Sequence, residues 1–299
     1  MSKSGYIAIV GRPNVGKSTL INHILGQKIA ITSRKPQTTR HALMGIYTEG
    51  TNQIVFIDTP GIHSDGKKAI NRHMNRAAWQ AMDFVNAVVQ VSEVGQWTAD
   101  DQKVAEGIAK LPLPKIHVLN KIDRLKDKSA LFAELEQRQQ LAEWTAIVPV
   151  SASRAQNLDE LVKVLCAQLP EQEWIFPEEQ ITTAGMRFMA AETIREKLFR
   201  YLHQEIPYEL GVIIERYQEE KGVVHIDATI MVERDSQKGI VIGKGGQTLK
   251  AVGKAAREDL ERMLEQKVML RNFVKVKENW RDNNAIIDSM GLGNGTDIG

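Results

Sequence analysis

The run Gly11-Arg12-Pro13-Asn14-Val15-Gly16-Lys17-Ser18 has the spacing G-x-x-x-x-G-K-S of a loop that holds phosphate, a P-loop. Its glycines let the main chain wrap closely, so that N–H groups converge on phosphate oxygens. Lys17 supplies a point charge for the β- and γ-phosphates, and Ser18 a hydroxyl ligand for Mg2+. Residues 6–10 before the loop form an apolar run of strand type, and residues 19–25 after it, from Thr19, read as a helix. Strand, glycine turn and helix follow in the order that aims a helix N-terminus at the same phosphates.

Three further motifs each follow a strand-like run. Asp58-Thr59-Pro60-Gly61 comes after 54–57. An acid at a strand end is placed to hold Mg2+, directly or through water, and Gly61 can swing its N–H toward a γ-phosphate. Asn120-Lys121-Ile122-Asp123 comes after 115–119. The Asp123 carboxylate can accept two hydrogen bonds, from the ring N–H and the exocyclic amine of guanine. Adenine lacks that pair and would leave the carboxylate unpaired in a partly buried site. Ser151-Ala152-Ser153 comes after 146–150, where its backbone can meet the guanine carbonyl oxygen. Ligands of open parallel sheets sit at the carboxyl ends of strands, and this ordered set reads as a guanine-nucleotide site. Thr38 and Thr39 lie in the polar stretch 32–41. Thr39, with Thr38 weighed beside it, is expected to close on Mg2+ and the γ-phosphate.

The elements that must position these groups alternate. Strand-like runs at 41–47, 53–57, 87–91, 115–119 and 146–150 are interleaved with helical segments at 69–82, 99–109, 129–144 and 158–168. This pattern implies an α/β domain, a mainly parallel sheet with helices on both faces. Two prolines and several acids between 169 and 180 look like a linker. Beyond it the rhythm changes to a helix at 188–203, strands at 209–217 and 223–232, a glycine loop, a helix at 248–264 and a strand at 268–276. The order α-β-β-α-β is that of a smaller α+β module. We expect a first domain over 1–170, a linker over 171–181, a second domain over 182–289 and a frayed tail over 290–299.

The second glycine loop is Val241-Ile242-Gly243-Lys244-Gly245-Gly246. Gly-x-x-Gly at that place in such a module looks like the loop of a KH domain, which clamps single-stranded nucleic acid. Between Arg234 and Arg257 six basic residues face one acid, a local charge of +5, the footprint of a phosphate-contacting groove. Ile242 to Gly246, Lys250 and Lys254 are the expected RNA contacts. Lys275 and Lys277 extend them, and Trp280 is open to either surface or core.

Bulk properties exclude several classes. The chain has 299 residues, 42% hydrophobic and 25% charged, with a net charge of +2, so bulk charge alone announces no nucleic-acid partner. Cys166 is the single cysteine, which excludes an internal disulfide, a cysteine metal cluster and a Cys-x-x-Cys redox pair. It points to a reducing cytosol. No secretory signal is legible, and no run reaches the ~18 apolar residues of a spanning helix.

These residues look like those of a translation-factor-related GTPase. The wording of the P-loop, Gln37-Thr38-Thr39-Arg40-His41 and Asp58-Thr59-Pro60-Gly61-Ile62-His63 resembles the Era family of bacterial GTPases, over nearly the whole chain. The resemblance implies a P-loop GTPase domain followed by a type II-like KH domain. It implies GTP hydrolysis to GDP with Mg2+ held by Ser18, Thr39 and Asp58, and a partner in small-subunit ribosomal RNA near its 3′ end during 30S assembly. It also implies loose association with the inner face of the cell membrane; a cytoplasmic monomer is expected. Ile62 stands where Ras-like proteins carry a water-orienting glutamine, so catalysis must rest on Lys17, Thr39, Gly61, backbone, a cation or a partner. Asn14 resembles the asparagine of potassium-activated GTPases. A competing reading keeps the GTPase but gives it a membrane or cell-cycle protein partner, with the second domain a protein-binding module. Another makes the nucleotide purely structural, which Lys17, Thr39 and Asp58 together oppose. The resemblance at Asn14 predicts faster hydrolysis in KCl than in NaCl; equal rates in the two salts would refute K+ stimulation.

Overall fold

A computed structural model describes residues 1–32, 43–59, 80–125, 127, 129–202 and 206–290. They fall into two compact units, the first running to Thr183 and the second beginning at Ala184.

The first unit is one six-stranded sheet of β1 (Lys3–Val10), β2 (Leu43–Glu49), β3 (Asn52–Asp58), β4 (Ala87–Glu93), β5 (Lys115–Asn120) and β6 (Ala146–Pro149). The strand order is β2-β3-β1-β4-β5-β6. Only β2 runs antiparallel, in a tight hairpin with β3. The remaining pairings are parallel, so β3, β1, β4, β5 and β6 share one carboxyl edge. Ile7, Ala8, Ile9 and Val10 are fully buried because an interior parallel strand is covered on both faces. Helices α1 (Lys17–Leu25), α2 (Ala99–Ala109), α3 (Ser129–Leu141) and α4 (Leu158–Cys166) belong to this unit. Val104 and Ile108 of α2 join Ala8, Val10, Ile57 and Val88 of the sheet in one apolar cluster. Helix α2 starts at a capping box in which the Thr98 and Asp101 side chains satisfy each other's backbone N–H groups.

Two expectations change here, and a third can be followed only at its end. The helix expected over 129–144 stops at Leu141, because Trp144 turns inward to stack on His117 at 4.8 Å and donates Nε1 to Arg138 O at 3.0 Å. The helix expected over 69–82 falls outside the described residues up to 79; Ala81–Asp83 is a short 3-10 turn. The segment 171–181, expected as a linker, is bound along the first unit. The buried Gln53 side chain accepts from Ile175 N (2.8 Å) and Phe176 N (2.9 Å) and donates to Phe176 O (2.8 Å). Ile46 N donates to Ile181 O at 2.9 Å, and Thr182 Oγ1 to Met44 O at 2.7 Å. The free edge of β2 has main-chain groups to satisfy, and this strap satisfies Ile46 N and Met44 O.

The second unit contains α5 (Met186–Tyr201), β7 (Gly211–Glu220), β8 (Val223–Val232), α6 (Asp235–Ile242), α7 (Gln247–Leu264), β9 (Lys267–Val276) and α8 (Asn284–Ser289). Its sheet order is β7-β8-β9, with β7 and β8 antiparallel and β8 and β9 parallel. Ala190, Ile194 and Leu198 of α5, Ile226, Ala228 and Ile230 of β8, and Val252, Ala256 and Leu260 of α7 meet in one core. The module is therefore α-β-β-α-α-β, followed by the short α8. Helix α6 occupies the place read as part of a glycine loop. Gly239 and three β-branched residues after it give it poor intrinsic propensity, but Val241 is buried in the core and that packing prevails. Met290 lies against Gly211, and residues 291–299 of the expected tail are outside the described ones. No helix among the described residues is long and apolar enough to cross a membrane.

His117, on β5, sits between Trp144 and the edge-on ring of Trp97 at 5.7 Å, with Nε2 2.7 Å from Ser92 Oγ. Burial first, and the Arg138 charge second, push its pKa down from 6.5 to about 3. The folded protein keeps this ring neutral, whereas the unfolded chain protonates it below pH 6.5. The contribution to stability is therefore complete above that pH and is lost as pH falls toward 3, at a limiting slope of about 1.4 kcal/mol per pH unit. Urea unfolding at pH 7, 6 and 5 checks this: stability of the native chain should fall more steeply than that of His117→Gln, and equal slopes would assign the effect elsewhere.

Candidate nucleotide site and nucleic-acid surface

The phosphate loop is shaped by three residues of positive φ: Gly11 (φ 146°), Asn14 (φ 65°) and Gly16 (φ 104°). A Cβ on Gly11 would come within 2.4 Å of Val91 O, and one on Gly16 within 2.4 Å of Asn120 Nδ2. Both glycines are thus required by close approach as well as by backbone conformation. Lys17 opens α1 with its side chain nearly sealed (6% exposed). Its Nζ donates to Gly11 O at 2.8 Å and Arg12 O at 3.0 Å. Desolvation lowers its pKa to about 8, with the Asp58 carboxylate pulling the other way. Ser18 Oγ donates to Asp58 Oδ2 at 2.8 Å, joining the start of α1 to the end of β3. A hydroxyl and a carboxylate on two rigid elements are hard oxygen donors of the kind Mg2+ takes alongside phosphate oxygens, so these residues fit that ion. Among the described residues no group of three His, Cys, Asp or Glu forms a self-sufficient metal cage.

The Asn120–Asp123 loop is tied to the Gly11–Ser18 loop. Asn120 Nδ2 donates to Val15 O at 2.8 Å, and its Oδ1 accepts from Lys121 N at 2.7 Å and Ala152 N at 3.0 Å. Lys121 adopts φ 67° and its Nζ reaches Asn14 O at 2.7 Å. Ser151 Oγ donates to Asp123 Oδ1, and Ser153 Oγ lies 3.4 Å from Ser151 Oγ. Asn120, Asp123 and the Ser151–Ser153 turn therefore come together as expected. Ile122 N donates to Val150 O at 3.2 Å, which fixes the turn beside β6. Two residues keep their side chains turned away from any ligand. Thr59 Oγ1 donates to Ile9 O at 2.7 Å, fully buried, so its hydroxyl fastens β3 to β1. Val15 turns its side chain into the core and offers only its backbone. Thr38, Thr39, Pro60, Gly61 and Ile62 lie outside the described residues.

Sequence reading missed the acids that organise this edge. Glu93, the last residue of β4, accepts from Lys121 Nζ at 2.6 Å and from Arg124 Nη1, with Arg12 Nη2 at 3.6 Å. Asp101 accepts from Arg12 Nε at 3.0 Å. An acid closing a buried apolar strand is the signal that was available, since Asp58 was recognised by the same position.

In the second unit, α6 and α7 are joined by a turn of glycines. Gly243 (φ 75°), Gly245 (φ 59°) and Gly246 (φ 78°) all take positive φ, and a Cβ on Gly243 would meet Thr248 Oγ1 at 2.2 Å. Ile242 is half-buried and Lys244 exposed. Lys250 and Lys254 stand exposed one turn apart on α7, and Lys275 and Lys277 are exposed at the end of β9 and just beyond. Trp280 is core: it is fully buried and donates Nε1 to Glu209 O at 3.1 Å.

Comparison with known proteins bears on both units. A family profile described as 50S ribosome-binding GTPase matches residues 6–121, and one described as KH domain matches residues 205–281. GTPase Era of Pseudomonas aeruginosa PAO1 is 49% identical over 292 residues, covering 98% of this chain and 96% of the relative. GTPase Era of Ectopseudomonas mendocina is 50% identical over 291 residues, covering 97% of each. Two solved structures superpose along almost the full length at 37% identity. One is an Aquifex aeolicus Era variant bound to GDP and AlF4−, with TM-score 0.94, covering 97% of this chain and 99% of that one. The other is Era in complex with MgGDPNP and nucleotides 1506–1542 of 16S ribosomal RNA, with TM-score 0.95, covering 98% and 99%. A P-loop sheet and a KH module in this order, matched end to end at this identity, leave one conclusion: the chain belongs to the Era family of GTPases.

Proposed function

We propose that this GTPase is a switch that binds small-subunit ribosomal RNA near its 3′ end during 30S assembly, with the state of its nucleotide setting its grip on RNA. The observation that carries the RNA half is the turn at Gly243–Gly246, where three positive-φ glycines open the backbone between two helices and Lys244 stands exposed. The relative solved with 16S ribosomal RNA nucleotides and MgGDPNP supports both halves.

In this reading the loop from Gly11 to Thr19 wraps the phosphates, and the N-terminus of α1 adds its dipole. Lys17 is already desolvated, so its charge acts on the β- and γ-phosphates with little screening by water. Ser18 and Asp58 hold Mg2+, which when bound neutralises phosphate charge. Thr39 closes over the γ-phosphate and Gly61 contributes its N–H. Asp123 reads the guanine edge, steadied by the Ser151 hydroxyl, while Asn120 fixes the turn around the base. Stimulation by K+ beside Asn14, a monomeric state, cytoplasmic residence and loose contact with the inner membrane face complete the proposal.

Three experiments test it. Asp123→Asn should weaken GTP binding by at least ~100-fold and transfer preference to xanthine nucleotides, as expected when a hydrogen-bonded base edge is mismatched; unchanged GTP affinity refutes the base assignment. RNA carrying the 3′ end of the small-subunit ribosomal RNA should bind about tenfold more weakly to Lys244→Glu at fixed salt, with RNA-free hydrolysis unchanged. Affinity unmoved by this change would favour a protein-binding role for the second unit. Equal RNA affinity with a GTP analogue and with GDP would refute the coupling.

A further inference from the structure

We propose that Glu93 is a positioning residue for guanine-nucleotide binding, a single carboxylate that keeps the phosphate loop and the base-recognition loop in register. The proposal rests on the reading of Asn120–Asp123 as the base-recognition loop.

Three cations from two loops converge on this side chain, which is 8% exposed. Lys121 Nζ donates to its Oε2 at 2.6 Å and Arg124 Nη1 to its Oε1, both from the base side. Arg12 Nη2, from the phosphate side, lies 3.6 Å from Oε2. The Lys121 ammonium also donates to Asn14 O at 2.7 Å, so one cation spans from the carboxylate to the crest of the phosphate loop. The backbone repeats the link. Glu93 lies opposite Asn120 in the β4–β5 register, and Val94 N donates to Asn120 O at 3.0 Å.

Two costs make the carboxylate necessary. Lys121 sits at φ 67°, a left-handed conformation that is strained for a non-glycine residue unless its surroundings hold it. Arg12 and Lys121, both mostly shielded from water, also repel one another and the more exposed Arg124. Among the described ion pairs Asp101 pairs only with Arg12, and without Glu93 no acid pairs with Lys121 or Arg124. Loss of the charge should let Lys121 swing away from Asn14 O and loosen both loops at once. Glu93 acts through Lys121 and Arg12, and its effect belongs to nucleotide retention rather than to the hydrolytic step.

Release of a fluorescent N-methylanthraniloyl-GDP from the full chain reads this directly, with KM and kcat for GTP and the melting temperature measured in parallel. Glu93→Gln should release the nucleotide about tenfold faster, raise KM by a similar factor and keep kcat within about twofold, the size expected for breaking a partly buried ion pair. Glu93→Asp, which keeps the charge and withdraws it by one methylene, should be intermediate at about threefold. A folded Glu93→Gln with wild-type release, or one that loses kcat at unchanged KM, overturns the proposal. If Glu93→Gln does not fold, Glu93→Asp decides, and wild-type release there overturns it equally. Asp123→Asn is run alongside. If it too releases GDP at the wild-type rate, the base-loop reading falls and takes the proposal with it. If it releases faster while both Glu93 variants do not, only the role of Glu93 falls.

Discussion

A lysine ammonium taken out of water must be met by oxygen, and at the start of α1 that demand shapes the surrounding chain. Lys17 reaches back to the carbonyls of Gly11 and Arg12, which the loop can present only by curling through positive φ at Gly11, Asn14 and Gly16. The curl in turn brings backbone against neighbours so closely that Val91 O and Asn120 Nδ2 leave no room for a Cβ. A cation held this way costs desolvation that its partners must offset. The same dryness strengthens its attraction for an incoming polyphosphate. Sheet order, glycine placement and the proximity of Asn120 all serve this one buried charge.

Parallel topology supplies the rest. Because β3, β1, β4 and β5 end on the same edge, Asp58, the phosphate loop, Glu93 and Asn120 are delivered there by separate strands without any long loop. Crowding of cations suited to phosphate then creates a need for acids, which Glu93 and Asp101 meet. The second unit uses the same residue type to shape a turn, with Gly243, Gly245 and Gly246 at positive φ between α6 and α7.

Much of this was legible in residue order. Motifs whose function depends on spacing along the chain, such as Gly11–Ser18 and Asn120–Asp123, could be read because the geometry is local. The strand expected over 223–232 likewise matches β8, whose Val224, Ile226, Ala228, Ile230 and Val232 are buried. Helix α6 was hidden because its glycine and β-branched residues argue against a helix, and only tertiary burial of Val241 overrides them. Glu93 was hidden because its partners come from positions far away in sequence. Gln53, the polar residue at the start of an apolar run, gave a signal whose meaning became visible only with the strap it holds.

That strap changes where the first unit stops being self-contained. Its last helix closes at Cys166, and a construction ended soon after would leave the edge of β2 around Gly45 and Ile46 with bare amide and carbonyl groups, an adhesive surface for any other extended chain. It would also leave the amide of Gln53 buried without its partners. The stretch that keeps β2 and Gln53 satisfied therefore runs through Thr183. The stretch before it belongs to the sheet it borders, and evolution could not lengthen or shorten it as freely as an ordinary tether.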